Sequence, residues 1–255
     1  MRTGSVIGRL LVVIAASTSL SARAQADPED GWGFLIAPYA MFPNMKGETG
    51  VGTLPNVAVD ENPGDIFSNL QFGAMLYAEA HTPAWAVSSD VIYMDLEAEV
   101  APDSQVIDGK AGVRQLGWEL AAMYRLSSWL ELGLAATYNK IDADVDIVIS
   151  ALPNAPAISG GLDEEWIDPS IVARAVAPLG EKWQFQARAN IGGFGMGSEM
   201  FYQLQLDLVY ALSDRWQFGL GYRYIDVDFE DGSGADRFVY DMRTFGPVLK
   251  FGFAF

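Results

Sequence analysis

The stretch Arg243 to Phe255, RTFGPVLKFGFAF, decides the fold class of this 255-residue chain. Its odd positions from Phe245 onward are apolar, whereas its even positions are small or polar apart from Val248 and include Thr244 and Lys250. A period of two is the pattern of a β-strand with one apolar face and one small or polar face. A soluble protein that ended on this apolar face would expose an aggregation-prone edge strand. A closed transmembrane barrel instead turns such a face to lipid and the polar face to its lumen.

The same alternation returns along most of the chain. Strand seven is the clearest example, because Trp183, Phe185, Ala187, Ala189 and Ile191 alternate with glutamines, an arginine and an asparagine. We read ten strands in all, at about 31–46, 70–81, 85–97, 115–125, 130–139, 167–175, 183–191, 202–210, 216–224 and 243–255. The sequence therefore predicts an all-β fold, a transmembrane antiparallel up-and-down β-barrel of ten strands, with eight strands as the alternative.

Alternation alone would also suit a soluble sandwich, but aromatic residues and turn lengths favour the barrel. Tryptophans begin strands that run in the same direction, mostly after short turns. Most turns at the opposite end are long, at 47–69, 99–111, 146–164 and 230–237, and the exception is Gly195 to Ser198. Trp129 shares this position but falls on the inward parity of its strand. Aromatic side chains prefer the membrane interface. The predicted membrane-interface aromatics are Trp32, Trp85, Trp183, Trp216, Phe253 and Phe255.

Many residues on the polar faces are charged. In a closed barrel they would all point into one lumen, where a barrel of eight to ten strands is nearly filled by its own side chains. We therefore expect a packed network of ion pairs there. The lumen-facing candidates are Glu119, Arg125, Glu131, Arg174, Arg188, Asp207, Arg223 and Lys250.

The N-terminus has the layout of a cleaved signal peptide. Basic residues precede the apolar run from Leu10 to Ala16, and small residues follow, so residues 1–24 form the predicted peptide, with cleavage after Ala24 or Ala26. Residues 25–255 form a single predicted barrel domain. No other segment offers about 18 uncharged apolar residues in a row, so insertion into a membrane must use strands.

The charge and the composition of the chain limit the classes of partner it can bind and the kinds of active site it can form. The chain has 16 basic and 33 acidic residues; the predicted peptide contains three arginines and no acid, so the mature chain has a formal charge of −20 from 13 basic and 33 acidic residues. This balance argues against nucleic acid as a partner. There is no cysteine and only one histidine, His81, beside a short turn. Histidine is the usual base near neutral pH, so we predict no enzyme, no catalytic residue, no metal site and no cofactor.

The segments GWGFLIAPYAMFPNMKGETGVG, DIFSNLQFGAMLYAEA and WAVSSDVIYMDLEAE, within residues 31–99, resemble a widespread family of poorly characterised outer-membrane barrels of Gram-negative bacteria. The C-terminal strand also resembles the signature that the barrel-assembly machinery recognises in such proteins. The resemblance implies a barrel in the cell outer membrane and no particular activity. It implies as partners outer-membrane lipid, lipopolysaccharide and the barrel-assembly machinery, with small ions or solutes in the lumen.

Three functional hypotheses remain open at this point. The first is a structural or narrow-pore barrel, porin-like and cation-favouring, with a polar lumen. The second is a surface ligand-binding or adhesion barrel that acts through the loops at 47–69 and 146–164. The third is a lipid-modifying outer-membrane enzyme, which the lone histidine disfavours.

Overall fold

The computed structural model describes residues 31–99, 106–149 and 157–255, and the predicted signal peptide lies outside them. Within these residues the fold is all-β apart from one short α-helix and one turn of 3-10 helix at Gly234–Asp236. The elements in chain order are β1 (Gly33–Met41), β2 (Asn44–Val51), β3 (Val57–Glu61), α1 (Pro63–Asn69), β4 (Leu70–His81), β5 (Trp85–Glu99), β6 (Val106–Ser127), β7 (Leu130–Ile149), β8 (Ala157–Pro178), β9 (Trp183–Gly193), β10 (Met200–Ala211), β11 (Trp216–Asp231) and β12 (Phe238–Ala254).

Ten of these strands close into an antiparallel ring. Each strand from β4 to β12 pairs with the next along the chain, and β1 closes the ring by pairing with both β4 and β12. At the seam, Phe34 N–H donates to the Phe255 carbonyl at 2.9 Å and Phe255 N–H donates to the Phe34 carbonyl at 3.0 Å. The closed barrel and the ring of ten strands are therefore confirmed, and the alternative of eight strands is wrong.

The segments predicted as long loops contain more regular structure than expected. β2 begins at Asn44 and extends into 47–69, and β3 and α1 lie within that segment. β6 begins at Val106 rather than after residue 111, and β7 and β8 extend into 146–164. Asn62 caps α1 by accepting hydrogen bonds from the N–H groups of Gly64 and Asp65. The outward face of these extensions is polar, as at Asp142, Asp144 and Asp146 of β7, because they project past the apolar band of the barrel. The outward apolar pattern that marked the other strands therefore does not continue into them.

Short hairpins join the strands at one end of the barrel, which we call the tryptophan end, and the opposite end is the far end. The backbone N–H of Leu179 donates to the carbonyl of Trp183 at 2.8 Å, and that of Leu212 donates to Trp216 at 2.9 Å. In the turn before Trp85, the hydroxyl of Thr82 accepts a hydrogen bond from the Trp85 N–H at 3.0 Å. These local bonds fix each tryptophan as the first residue of its strand.

The two faces of the barrel wall differ in chemistry. Large apolar side chains point outward and are exposed, as at Leu134, which is 69% exposed. The inward face holds charged and amide side chains near the tryptophan end and mid-height, and apolar side chains toward the far end. The buried core of the protein is thus the lumen itself. No helix among the described residues is long and apolar enough to cross a bilayer.

Candidate functional site

The first network of the lumen centres on Arg174 of β8. Its guanidinium pairs with Glu79 of β4 and with Glu131 of β7, the latter through Nε at 2.6 Å from Oε2. It also donates to the Tyr77 hydroxyl at 3.2 Å. Arg125 of β6 pairs with the other oxygen of Glu131 at 3.0 Å. Two carboxylates and two guanidinium groups therefore share one buried cluster, and Arg174 bridges opposite sides of the lumen.

A second network centres on Arg223 of β11. Its guanidinium pairs with Asp90, donates to the Tyr39 hydroxyl at 2.9 Å and donates to Gln205 Oε1 at 2.7 Å. The amide of Gln205 in turn donates to both oxygens of Asp207, at 3.0 and 2.7 Å. The arrangement satisfies each charge with a hydrogen bond, as buried charges require.

A third pair and the charge balance complete this mid-lumen layer. Arg188 of β9 pairs with Glu119 of β6, and Asn190 donates to the same carboxylate at 2.8 Å. Lys250 of β12 lies 3.3 Å from Asp207. The layer combines five bases and five acids: Arg125, Arg174, Arg188, Arg223 and Lys250, with Glu79, Asp90, Glu119, Glu131 and Asp207.

The structure places all eight predicted lumen candidates on the inward face and brings them together in this layer. The list of lumen-facing candidates omits Glu79 and Asp90, although the alternation places both on the polar face of their strands. It also left out Tyr39 and Tyr77, whose hydroxyls bond to the same networks. Parity within their own strands could have found Tyr77, Glu79 and Asp90, because each alternates with outward apolar residues. The first strand is apolar on both faces, so parity gave no signal for Tyr39.

Apolar side chains fill the lumen between this layer and the far end. We call this cluster the plug; it consists of Ile141, Trp166, Phe201, Val227, Phe229, Phe238, Tyr240 and Met242, all buried. The rings of Trp166 and Phe229 stack with centroids 4.1 Å apart. Apolar side chains packed against one another in this way disfavour water between them.

The turn between β9 and β10 is fastened to the plug through Asp168 of β8. One oxygen of this fully buried carboxylate accepts from the Ser198 N–H at 2.7 Å. The other accepts from the Ser198 hydroxyl at 3.0 Å, from Trp166 Nε1 at 2.9 Å and from Asn139 Nδ2 at 3.0 Å. The four bonds compensate the buried charge in place of a cation and hold this turn against the wall.

A polar chamber of about 490 Å³ occupies the lumen at the tryptophan end. Its walls include Glu79, Arg125 and Gln184, and Trp129 lies at its edge, exposed at the end of the barrel. His81 also borders it, buried, with Nδ1 3.5 Å from the Glu79 carboxylate and no hydrogen-bond partner for either ring nitrogen among the described residues. A polar space of this size accommodates water, which can hydrogen-bond to such groups.

Acidic residues line up on the outer surface beyond the far aromatic contact of Tyr224 and Phe245. Asp228 stands opposite Asp241, and Asp241 stands opposite Glu48, so three carboxylates form a row across β11, β12 and β2. Partial burial and then the neighbouring carboxylate of Asp228 raise the pKa of Asp241. No set of three or more acidic or histidine side chains within the described ranges has metal-binding geometry.

The predicted interface aromatics stand on the outer wall at the tryptophan end. Trp32, Trp85, Trp183, Trp216 and Phe255 are exposed, and Phe253 is half-buried. Trp85 contacts Tyr124 and Trp183 contacts Tyr210, with centroids 4.9 and 4.7 Å apart, on adjacent strands. The side chains thus form cross-strand aromatic pairs around this end of the barrel.

No protein-family model and no curated protein matches the sequence. Among solved structures, the chain is similar to the attachment invasion locus protein Ail of Yersinia pestis in complex with the heparin analogue sucrose octasulfate, at 9% identity and a TM-score of 0.40, over 89% of this chain and 99% of that one. It is also similar to the outer membrane protease OmpT of Escherichia coli, at 9% identity and a TM-score of 0.45, over 93% and 99% of the two chains. The toluene transporter TodX of Pseudomonas putida matches at 9% identity and a TM-score of 0.34, over 91% and 94%. The barrel assignment rests on the strand pairing of this chain.

Proposed function

We propose that this protein is an integral outer-membrane β-barrel with a structural role and a plugged lumen. The outward apolar face supports this proposal, because soluble proteins rarely expose a large continuous apolar surface, whereas a membrane barrel covers such a surface with lipid. The tryptophan end, with its short hairpins, would face the periplasm, and the far end would face the outside. The partners proposed with it are outer-membrane lipid, lipopolysaccharide at the outer face, and the barrel-assembly machinery at β12.

The plug is the observation that carries the structural role. Its buried side chains lie between the ion-pair layer and the far end, so a solute in the chamber would meet an apolar barrier rather than a hydrated path. The layer below it has equal numbers of acids and bases, which favours neither cations nor anions. Small ions and solutes would therefore enter the chamber from the periplasmic side and leave by the same side.

Planar-bilayer recording tests this proposal. Protein whose folded insertion has been verified by a gel shift between boiled and unboiled samples is expected to give no discrete conductance steps. The physical reason is the apolar barrier at Trp166 and Phe229. Discrete steps that shrink in an Arg188→Gln variant would contradict the plugged lumen and favour a narrow pore through the polar layer. Absence of the gel shift would contradict the membrane barrel itself.

A non-enzymatic role is supported by the position of the single histidine. His81 borders the chamber at the proposed periplasmic end. A lipid-modifying enzyme that acts on the outer leaflet would need its base near the other end of the barrel.

A second candidate function is the binding of a cationic ligand at the outer surface. The row of Glu48, Asp241 and Asp228 favours it, because like charges directly opposite one another destabilise a sheet unless an opposite charge neutralises them. The row lies on strands that project beyond the apolar band. A basic peptide could lie across it with alternate side chains toward the sheet.

Binding of tetralysine at low salt tests this second candidate. Asp241→Asn is expected to weaken binding roughly two- to fivefold, because exposed ion pairs are individually weak. Glu181→Gln is the matched control, since it removes the same charge from an exposed turn at the tryptophan end. Equal binding by the wild type and both variants would contradict a site at the acidic row.

A further inference from the structure

The barrel wall parts along one half of its closing seam. β1 pairs with β4 only from Gly33 opposite His81 to Pro38 opposite Leu76. Beyond Pro38, which has no N–H to donate, the chain follows β12 instead and continues into β2, which pairs with β3. Within the described part of the chain, residues 70–75 of β4 therefore pair with β5 on one side and with no strand on the other.

An apolar cavity of about 110 Å³ fills this gap, which we call the seam cleft. One wall comes from β1 and the residues after it, including Ala40 and Pro43, and the other comes from Gly73 and Ala74 of β4. Helix α1 covers the cleft with Ile66, which is buried, and Phe67, which is exposed.

The seam cleft leads toward the lumen. A second cavity of about 80 Å³ lies on the inner side of the wall and shares Met41, Pro43, Met75 and Met94 with the cleft. Methionine side chains are unbranched and flexible, so they can move to join two adjacent spaces. The second cavity is also lined by Asp90, Glu119 and Arg223, so the apolar space ends at the methionines. The seam cleft alone, at about 110 Å³, is of the same order as a cavity of about 150 Å³ that admits benzene.

The mouth of the cleft opens on the outward apolar surface, in the half of the wall nearer the far end. Phe42 and Phe67 stand beside it, exposed, with ring centroids 5.5 Å apart. Phe72, on the adjoining strand, contacts Tyr93 at 5.9 Å. The mouth is thus continuous with the surface that lipid would cover, and the material next to it would be the hydrocarbon of the outer leaflet.

We propose that the seam cleft binds the end of a lipid acyl chain, which enters sideways between β1 and β4. The proposal rests on the membrane location given under Proposed function. Apolar lining, an opening toward hydrocarbon and a flexible methionine floor all fit an alkyl chain and none of them fits a polar solute. The acyl chain would reach the methionines and stop below the plug, with its headgroup left outside at the membrane surface.

Alkylation of a single introduced cysteine tests the proposal, because the chain has no cysteine of its own. Met94→Cys would be placed in vesicles of phosphatidylethanolamine and phosphatidylglycerol and exposed to N-octylmaleimide or to a charged, water-soluble maleimide. Met123→Cys is the matched control, since Met123 is also an inward methionine and is fully buried. Met94→Cys is expected to react with N-octylmaleimide at least about tenfold faster than Met123→Cys, because a packed interior admits no reagent.

A substitution that fills the cleft should abolish the faster reaction of Met94→Cys with N-octylmaleimide. A Cβ added at Gly73 first meets Leu70 at an ordinary 3.5 Å, and Gly73 lines the cleft, so Gly73→Leu places an apolar side chain in this space. In the Met94→Cys background it is expected to slow the reaction about tenfold, whereas Ala136→Leu, on the outer wall of β7, should not.

Equal rates for Met94→Cys and Met123→Cys, or equally fast reaction of Met94→Cys with the charged reagent, would overturn the proposal. The gel shift of protein from the same vesicles distinguishes failure of the acyl-chain site from failure of the membrane barrel. Inserted protein that fails the labelling test refutes the acyl-chain site alone, whereas protein that does not insert refutes the membrane barrel as well.

Discussion

Replacement of Arg174 by methionine is expected to lower the free energy of unfolding by about 3–5 kcal/mol, since it leaves buried charges without their partner. Arg174 is the common partner of Glu79 and Glu131, and all three side chains are buried. Methionine occupies similar space, so the loss reports on charge rather than on a cavity. Urea unfolding of the protein in vesicles, followed by tryptophan fluorescence, measures the change.

Two further variants show whether the lower stability of Arg174→Met comes from unpaired buried charges or from lost packing. Arg125→Met removes a guanidinium from the same Glu131, but the Arg125 side chain is 24% exposed, so the expected loss is below about 1 kcal/mol. The triple variant Glu79→Gln, Glu131→Gln, Arg174→Met is expected to recover at least about half of the stability lost in the single variant, because it removes the unpaired charges. A triple variant as unstable as Arg174→Met alone would show that the loss comes from packing.

Gly133→Ala is expected to destabilise the barrel by about 2–3 kcal/mol because of overpacking against backbone. Gly133 of β7 faces Met123 of β6, and a Cβ at this position would stand 1.9 Å from the carbonyl oxygen of Ala122. Backbone cannot rotate aside as a side chain can, so the two strands would have to separate. Urea unfolding and the temperature of the gel shift both measure the effect.

Gly117→Ala is the matched control. Gly117 also faces inward, on the neighbouring strand β6, yet an added Cβ there meets nothing within 4 Å. The free energy of unfolding of this variant is expected to stay unchanged or to rise by about 0.5 kcal/mol, since alanine loses less conformational entropy on folding than glycine. Similar losses for both variants would show that the wall adapts to a Cβ and that the close approach at Gly133 imposes no constraint.

The sequence was most informative where one face of a strand is apolar and the other polar. The alternation in Trp183 to Ile191 gave the position of β9 to within two residues, and the same parity placed Arg188 and Asp207 in the lumen. It was least informative beyond the apolar band. There β7 continues to Ile149 and helix α1 forms after Asn62, in segments predicted to be loops.

The fold class and the inward or outward face of the alternating strands follow from local sequence, because a period of two is a local property of the chain. The pairing of β1 with β4 and β12 was needed to fix the ring at ten strands rather than eight, and the folded barrel was needed to show which charges meet. Arg174 and Glu79 are 95 residues apart, and their contact across the lumen depends on the tilt and stagger of every strand between them. The same long-range geometry decided that apolar side chains plug the far end and that the seam parts beyond Pro38. Both depend on strand register summed around the ring, which no local pattern of residues encodes.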